Sequence, residues 1–324
     1  MKPQKILIVS NCQVQPLKHG LGNVIRNIEI DTVPVHVISA DERNKVFEAH
    51  IKNRENYAFV LSVPLSADFG GFSHEKIVDS FYPTPVFTIS NLYFTGLLPD
   101  ICYIGGLNAR TPGPIGDYHS QIALLGFLMG LDVAATVRLY AGPTYAYMGF
   151  YNEFQASLEE AARRDATADI PIGDILPEQL RRGVCFLSQN HPTSLLLCPY
   201  INKIARWLAA KGLVDHSGAD LLPEATVNYL AYSTVFPIYP EIAQHHNMPY
   251  SGSYTFRTPT IGDVPSRPLG LEEFVAGEHD AFRAGDRHIL ENNYPGNLLI
   301  FRGVRNAEFH EIARSLGAFE SSVR

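Results

Sequence analysis

The chain has 324 residues, of which 46% are hydrophobic and 18% are charged, a composition typical of a soluble globular protein. Its formal net charge of -7 provides no overall positive field, which argues against a general nucleic-acid-binding role and requires any anion site to be local. No apolar run approaches the roughly 18 to 20 residues of a membrane helix, and Ile6–Val9 is too short for the core of a signal peptide, so we expect no membrane insertion and a cytoplasmic location.

The first ninety residues alternate between strand and helix patterns. The predicted strands are "KILIVS", "TVPVHVIS", "YAFVLSVP" and "PVFTIS". The predicted helices are the apolar series from Leu17 to Ile28, then "ADERNKVFEAHIKN" with Asp41 as its N-cap, and "SHEKIVDSF". Strands that alternate with helices pair in parallel, so the predicted fold class is α/β with a doubly wound, mostly parallel sheet.

The later part of the chain is less regular. An aromatic and Gly/Pro-rich loop follows Asn91, and the predicted elements after it are the helical stretches 119–140 and 143–166, the strand "GVCFLS" and the helix "SLLLCPYINKIARWLAAKG". We therefore predict a core of residues 1–213, which includes an inserted loop and helices over 91–170. Residues 214–324 are predicted to form a helical, loop-rich extension packed on the core, in one continuous domain.

The stretch "VSNCQVQP" places Cys12 directly after the first predicted strand. Pro16 is tolerated only in a first helical turn, so a helix should begin within a few residues of Cys12. Ligands of open parallel sheets bind at the carboxyl ends of the strands. We expect the free N–H groups of Gln13 and Val14 and the helix dipole to stabilise a thiolate and lower the pKa of Cys12.

The alternative for Cys12 is a buried structural cysteine, which residue type alone favours. The four cysteines of the chain are scattered and contain no CxxC pair, so they predict neither a disulfide framework nor a zinc site. Polar side chains surround Cys12, and burying them would cost free energy unless each finds a partner. These neighbours, which favour a functional site, are Ser10, Asn11, Gln13 and Gln15.

Other candidate groups follow later predicted strands of the same sheet. His191, in "SQNHPT", is the candidate base for a thiol nucleophile, although a turn histidine held by a hydrogen bond explains the pattern as well. The Asn91 amide and the backbone N–H groups of Gly70 or Gly71 are candidate oxyanion donors. Ordinary turn chemistry is the alternative for each of them.

This order of residues resembles the SGNH (GDSL-like) hydrolase superfamily. In that superfamily a nucleophile after the first strand, a glycine, an asparagine and a late histidine line one edge of the sheet. Cys12, Gly70 or Gly71, Asn91 and His191 would occupy these places. Two departures are a cysteine in place of the serine, and Ser188 in place of the acidic residue three positions before the histidine.

The chain more closely resembles the WcbI family of polysaccharide-biosynthesis proteins. The motifs that carry the resemblance are "ILIVSNCQ", "NLYFTGLLPD", "GPIGDYHS" and "NHPT", spread over about residues 5 to 195. The resemblance implies an SGNH-like core and binding of coenzyme A (CoA) or acetyl-CoA. It also implies O-acetyl transfer to a sugar hydroxyl of a capsule or exopolysaccharide.

The resemblance also directs attention to residues that would hold CoA. Candidate phosphate partners are Lys18, His19, Arg43 and Arg110, and surface charge is the alternative for each. Candidates for stacking on the adenine or lining a pantetheine channel are Tyr93, Phe94, Tyr118 and His119. Core packing is the better explanation of Phe94, and His119 could instead belong to a helix cap. Ser10 is a further candidate contact.

Three functions remain open on this basis. In an acetyltransferase, Cys12 could carry the acetyl group as a thioester, or His191 could act directly as base on the sugar hydroxyl. Asn91, Gly71 and the backbone around Asn11 and Gln13 would then stabilise the oxyanion. The alternatives are a thiol-dependent esterase or deacetylase, and a non-catalytic CoA- or nucleotide-binding subunit of a polysaccharide assembly complex.

Overall fold

A computed structural model of the chain describes residues 3–106, 109–215, 221–292 and 304–319. The chain forms two compact units. The first unit consists of Met1–Tyr93, Leu158–Phe186 and Asn190–Ala231, and the second of Phe94–Ser157, Leu187–Gln189 and Tyr232–Arg324. Each unit is thus assembled from separate parts of the chain, which is a different division from the predicted 1–213 and 214–324.

The strands are β1 (Gln4–Ser10), β2 (Ile28–Pro34), β3 (Val60–Ser62), β4 (Val86–Thr88), β5 (Ile101–Cys102), β6 (Gly105–Gly106), β7 (Ala109–Arg110), β8 (His119–Ser120), β9 (Phe186–Ser188), β10 (His191–Pro192), β11 (Phe256–Arg257) and β12 (Pro268–Leu269). The helices are α1 (Val14–Val24), α2 (Ala40–Lys52), α3 (His74–Phe81), α4 (Gln121–Leu128), α5 (Val133–Val137), α6 (Gly142–Tyr147), α7 (Glu153–Asp165), α8 (Leu176–Arg182), α9 (Ser194–Ala210), α10 (Pro240–His245), α11 (Leu271–Ala284), α12 (Arg287–Asn292) and α13 (Ala307–Ser315). Across the described part of the chain, no helix is both long enough and apolar enough to cross a membrane.

A parallel sheet of four strands forms the centre of the first unit. The strand order is β2-β1-β3-β4, and Leu7 of β1 lies opposite Asp31 of β2 and Val60 of β3. Residues 6–9 of β1 are fully buried, because a central strand of a covered parallel sheet is apolar on both faces. This sheet and its helices confirm the predicted α/β class.

Helices cover both faces of this sheet. On one face Leu7 and Val9 belong to a buried cluster that includes Phe72, Ile77 and Phe81, the last two on α3. The side chains of Val46 and Phe47 from α2 pack against the same cluster.

Strand β4 and helix α1 contact α9. Phe87 of β4 lies with its ring 5.0 Å from that of Trp207 on α9. Gly20 allows α1 to approach α9 closely, because a Cβ at this position would lie only 2.5 Å from Ile201 Cδ1.

Most predicted elements of the first ninety residues are present, but their bounds differ. β2 begins at Ile28, whereas the sequence pattern placed a strand over 32–39 and assigned Ile28 to the first helix. Asn27 adopts a left-handed conformation with φ of 55°, which separates α1 from β2. The N-cap of α2 is Ser39, and the prediction of Asp41 was wrong because Asp41 lies within the first turn.

Glycines with positive φ divide the two long predicted helices. The stretch 119–140 forms α4 and α5, separated at Gly130 with φ of 75°, and 143–166 forms α6 and α7, separated at Gly149 with φ of 74°. Glycine adopts this conformation at little cost, so it ends helices that apolar spacing alone would continue.

The strand predicted from "GVCFLS" is present as β9, but it pairs with β10 and not with the four-stranded sheet. The prediction that His191 follows a strand of the same sheet as Cys12 was therefore wrong. The Leu187 carbonyl oxygen, in the middle of β9, accepts a hydrogen bond from Phe236 N at 2.7 Å, so this strand does not extend the parallel sheet.

The second unit contains a buried polar network around Asp100. Its carboxylate accepts hydrogen bonds from the Ser120 hydroxyl at 2.5 Å, the Tyr239 hydroxyl at 2.6 Å and the Ile122 N–H at 2.9 Å. Burial raises the pKa of Asp100 to about 6, although these hydrogen bonds favour the carboxylate. The network gives each buried polar atom a partner, as a stable core requires.

Candidate functional site

Cys12 lies in the turn between β1, which ends at Ser10, and α1, which begins at Val14. The predicted helix start is confirmed, with Pro16 in the first turn. Cys12 is half-buried, whereas the other cysteines of the chain are buried in the structure. Of these thiols, Cys12 is thus the one placed to meet a ligand at the carboxyl end of a parallel strand.

The N–H groups after Cys12 are not available to its sulfur. Gln13 N donates to Asn11 Oδ1 at 3.1 Å, and Val14 N donates to the Asn11 carbonyl oxygen at 3.1 Å. The expectation that these groups lower the pKa of Cys12 was wrong. Burial instead raises the pKa of the thiol to about 12, so Cys12 is protonated at neutral pH.

The polar contacts of the Cys12 sulfur come from two asparagines. Sγ lies 3.8 Å from Asn11 Oδ1, 3.7 Å from the Asn190 carbonyl oxygen and 3.7 Å from Asn190 Nδ2. Sequence reasoning did not single out Asn190. Its position beside His191 in the "NHPT" motif was the available signal.

Asn91 joins this group through Asn11. Asn11 Nδ2 donates a hydrogen bond to Asn91 Oδ1 at 3.0 Å. This bond orients the Asn91 amide, and no described residue accepts a hydrogen bond from its Nδ2. The structure therefore brings together Asn11, Cys12, Asn91 and Asn190, with one amide donor available to a ligand.

Gln13 connects three segments of the first unit. Its side chain is 1% exposed, and its Nε2 donates to the carbonyl oxygens of Leu92 at 2.6 Å and Asn190 at 3.0 Å. Its Oε1 accepts from Leu92 N at 3.2 Å. Both the side chain and the backbone N–H of this predicted oxyanion residue are thus occupied by the protein itself, and they hold the loops that carry Asn91 and Asn190.

His191 lies in β10, next to Asn190, and is 9% exposed. Burial, and to a lesser extent the nearby His36, lowers the pKa of His191 to about 4. The imidazole is therefore neutral at pH 7 and can accept a proton. His191 does not hydrogen-bond the Cys12 sulfur in this structure. Its role as a base stays a prediction.

Gly71, the other predicted oxyanion donor, packs against Phe47 of α2. A Cβ at Gly71 would lie 2.6 Å from Phe47 Cδ1, so the position has no room for a side chain. Gly70 has φ of 59°, a conformation that favours glycine. Close packing and backbone conformation thus explain both glycines, and the oxyanion role of Gly71 stays a prediction.

Several predicted CoA contacts lie on the first unit. Ser10 is fully buried and its Oγ has no hydrogen-bond partner in the described part of the chain. Lys18 is exposed on α1, and the half-buried His19 beside it lies edge-to-face with Tyr229 at 5.2 Å. Arg43 differs, because it is buried and donates to the Asp68 carbonyl oxygen at 3.2 Å.

Tyr93, also on the first unit, is half-buried and associates with Arg164 of α7. The Arg164 guanidinium lies 5.3 Å from the Tyr93 ring, and Arg164 Nη2 donates to the Tyr93 carbonyl oxygen at 2.7 Å. Its predicted place in a ligand channel stays a prediction.

The remaining predicted CoA contacts lie on the second unit. The Arg110 guanidinium lies 4.1 Å from the Tyr103 ring, which also packs against buried Tyr118 at 5.3 Å. His119 is fully buried, with its Nδ1 2.7 Å from Glu278 Oε2 and its Nε2 2.8 Å from the Thr111 carbonyl oxygen. The charge of Glu278 and its hydrogen bond to Nδ1 outweigh burial and raise the pKa of His119. Internal partners thus account for these side chains, and their ligand roles stay predictions.

The fold and the cysteine–asparagine turn describe an α/β protein with a polar site at the carboxyl edge of a parallel sheet. The model of the family described as "Polysaccharide biosynthesis enzyme WcbI" matches residues 5–213, more than half of the 324-residue chain. The chain belongs to the WcbI family of polysaccharide biosynthesis enzymes. No curated protein matches it significantly.

A solved structure has a similar fold over nearly the whole chain. It is described as that of WcbI, a novel polysaccharide biosynthesis enzyme, in the native form without a disulfide bond between CoA and one of its cysteines. The TM-score is 0.67 at 17% sequence identity, over 98% of this chain and 100% of that chain. At this identity the similarity shows a shared fold.

Proposed function

We propose that this protein is a CoA-binding O-acetyltransferase of polysaccharide biosynthesis, which moves an acetyl group from acetyl-CoA to a sugar hydroxyl. The observation that carries the proposal is the half-buried Cys12 thiol among the amides of Asn11, Asn91 and Asn190 at the carboxyl end of β1. The WcbI structure supports the proposal, because its description specifies the form that lacks a disulfide bond between CoA and a cysteine of that protein.

The residues at this site fit a thioester ligand. A half-buried, protonated thiol can contact another sulfur without placing a negative charge beside it. The Asn91 Nδ2 hydrogens, which no described residue accepts, can donate to a carbonyl oxygen. Lys18 and His19 on α1, with Tyr229 packed against His19, supply a cation and aromatic rings for the charged and aromatic parts of the ligand.

Acetyl-CoA supplies the acetyl group as an activated thioester. The raised pKa of Cys12 favours direct transfer over an acyl-cysteine, because a thiol is a much weaker nucleophile than a thiolate. His191, neutral at pH 7, accepts the proton of the sugar hydroxyl as the sugar oxygen attacks the thioester carbonyl carbon. The carbon–sulfur bond then breaks, and CoA leaves as a thiolate that takes this proton from His191. Asn91 donates to the carbonyl oxygen as negative charge develops there, and Cys12 acts as a contact.

Binding is tested first, by calorimetry of the purified full-length chain with CoA, acetyl-CoA and NAD. We expect the two CoA compounds to bind and NAD to bind much more weakly. If neither CoA compound binds, the proposal is wrong.

Turnover is then measured as CoA release from acetyl-CoA with and without polysaccharide acceptors. Release that depends on an acceptor supports a transferase, whereas equal release without one indicates the esterase. Cys12→Ala should retain most activity in direct transfer, with Cys198→Ala, a buried thiol on α9, as the matched control. His191→Ala should lose activity by a factor of about 100 or more. If neither Cys12→Ala nor His191→Ala changes turnover while CoA still binds, the protein is a binding subunit.

A further inference from the structure

We propose that a small apolar cavity beside Asn91 is the acyl subsite of this protein and that its size restricts the donor to a two-carbon acyl group. This inference rests on the proposed acetyl transfer and adds the element that selects the acyl chain. We call the space the Asn91 cavity. It lies within the first unit, and its apolar wall consists of Leu92, Ala161, Ile172, Leu176, Phe186 and Leu196.

The Asn91 cavity is narrow. Its empty volume, including the mouth, is about 260 Å³, and the space inside admits a group about the size of one water molecule or methyl. All six apolar wall residues are buried, and Leu196 is fully so. Side chains in a close-packed interior yield little, so this wall limits what can enter.

The charged side chains at the cavity have partners of their own. Asp165 Oδ2 accepts from Ile172 N at 2.9 Å and from Gly173 N at 2.6 Å, while its Oδ1 accepts from the Ser90 hydroxyl. Arg164 donates to the Tyr93 carbonyl oxygen at 2.7 Å and forms an ion pair with Glu160, whose Oε1 lies 3.7 Å from Arg164 Nε; among the described residues this buried Nε has no hydrogen-bond partner. The space that remains is suited to an apolar group.

Asn91 connects the cavity to the thiol. Asn91 lines the cavity, its Oδ1 accepts from Asn11 Nδ2 at 3.0 Å, and Asn11 Oδ1 lies 3.8 Å from Cys12 Sγ. A thioester whose carbonyl oxygen accepts from Asn91 Nδ2 has its methyl group one bond from that carbonyl carbon. The methyl then enters the cavity, while the sulfur stays on the side of Cys12.

The size of the cavity sets the expected selectivity. Burying one methyl group should make acetyl-CoA bind about fourfold more tightly than CoA. Longer chains must displace buried wall residues, and one extra methylene in such a pocket changes discrimination by about tenfold or more. Butyryl-CoA should therefore bind at least about tenfold more weakly than acetyl-CoA.

The test measures the Kd of CoA, acetyl-CoA, butyryl-CoA and succinyl-CoA by calorimetry for the full-length wild type and two matched variants. Leu176 and Leu180 lie one turn apart on α8 and are 3% and 1% exposed, but of the two only Leu176 lines the cavity. We expect Leu176→Ala to bring butyryl-CoA to within about threefold of acetyl-CoA, whereas Leu180→Ala keeps the wild-type ratio. Each variant is first shown to bind CoA as the wild type does.

A second variant keeps the test decisive if Leu176→Ala does not fold. Ala161→Val is the opposite kind of change, because it adds two methyl groups that fill the cavity from α7. It should leave CoA affinity unchanged and remove the advantage of acetyl-CoA over CoA. No such loss, or the same acyl ratio in Leu176→Ala and Leu180→Ala, overturns the inference.

The remaining outcomes separate the two proposals. Preferential binding of succinyl-CoA would mean that Arg164 recognises a carboxylate, and it would overturn the apolar acyl subsite. Binding of CoA by the wild type with no discrimination among acyl chains would overturn the subsite alone. Failure of every CoA compound to bind would overturn the proposed function and the subsite with it.

Discussion

Replacing Gln13 with alanine should destabilise the first unit, because it removes one hydrogen bond from each of three backbone groups of other segments. These groups are the N–H and the carbonyl oxygen of Leu92 and the carbonyl oxygen of Asn190. A typical intramolecular hydrogen bond contributes about 1 kcal/mol, so three of them contribute about 3 kcal/mol. Water entering beside half-buried Asn190 offsets part of this loss, whereas the cavity left by a 1% exposed side chain adds to it.

We therefore expect Gln13→Ala to lower the free energy of unfolding by about 2–4 kcal/mol. The measurement is denaturant unfolding followed by fluorescence of Trp207, the single tryptophan of the chain, which lies on α9 of the first unit. Gln15→Ala is the matched control, because Gln15 is exposed in the same helical turn and its loss should cost less than about 0.5 kcal/mol. A loss below about 1 kcal/mol in Gln13→Ala, or one equal to that of the control, would refute the reasoning.

Three further predictions follow from burial and packing. Burial raises the pKa of Cys12 from the ordinary thiol value of 9.0 to about 12. The alkylation rate of Cys12, measured by mass spectrometry, should therefore keep rising beyond pH 9.0. A rate that levels off at pH 9.0 would contradict this. Because the pKa of Asp100 is raised from 3.8 to about 6, the stability it contributes is complete below pH 3.8 and is lost as the pH rises through about 6. Unfolding titrations should show this loss, about 3 kcal/mol at 1.36 kcal/mol per pKa unit, in the wild type and not in Asp100→Asn. Gly71→Ala should destabilise the protein by about 1–3 kcal/mol, because the new Cβ would lie 2.6 Å from Phe47 Cδ1. Gly22→Ala, which has open space on α1, should stabilise it by up to about 1 kcal/mol. Equal effects of the two substitutions on the free energy of unfolding would contradict the packing argument.

The class of the fold followed from local patterns. Short apolar runs such as Ile6–Val9, alternating with helical spacing, predicted a parallel sheet covered by helices, because each pattern reflects which faces of an element are buried. Element bounds were less predictable. Asn27, Gly130 and Gly149 interrupt elements through positive φ angles, and apolar spacing does not report backbone conformation.

The position of Cys12 between a strand and a helix was determined by the sequence, because Pro16 must stand in the first helical turn and an apolar strand precedes it. The tertiary structure decided the protonation state of that thiol and which residues contact it. Asn190, 178 residues further along the chain, contacts the sulfur. Burial raises the pKa of Cys12, whereas local reasoning predicted a lowered pKa. Desolvation and long-range hydrogen bonds depend on which segments pack together. The end of a strand can therefore be predicted from neighbouring residues, whereas the protonation state of the cysteine at that end cannot.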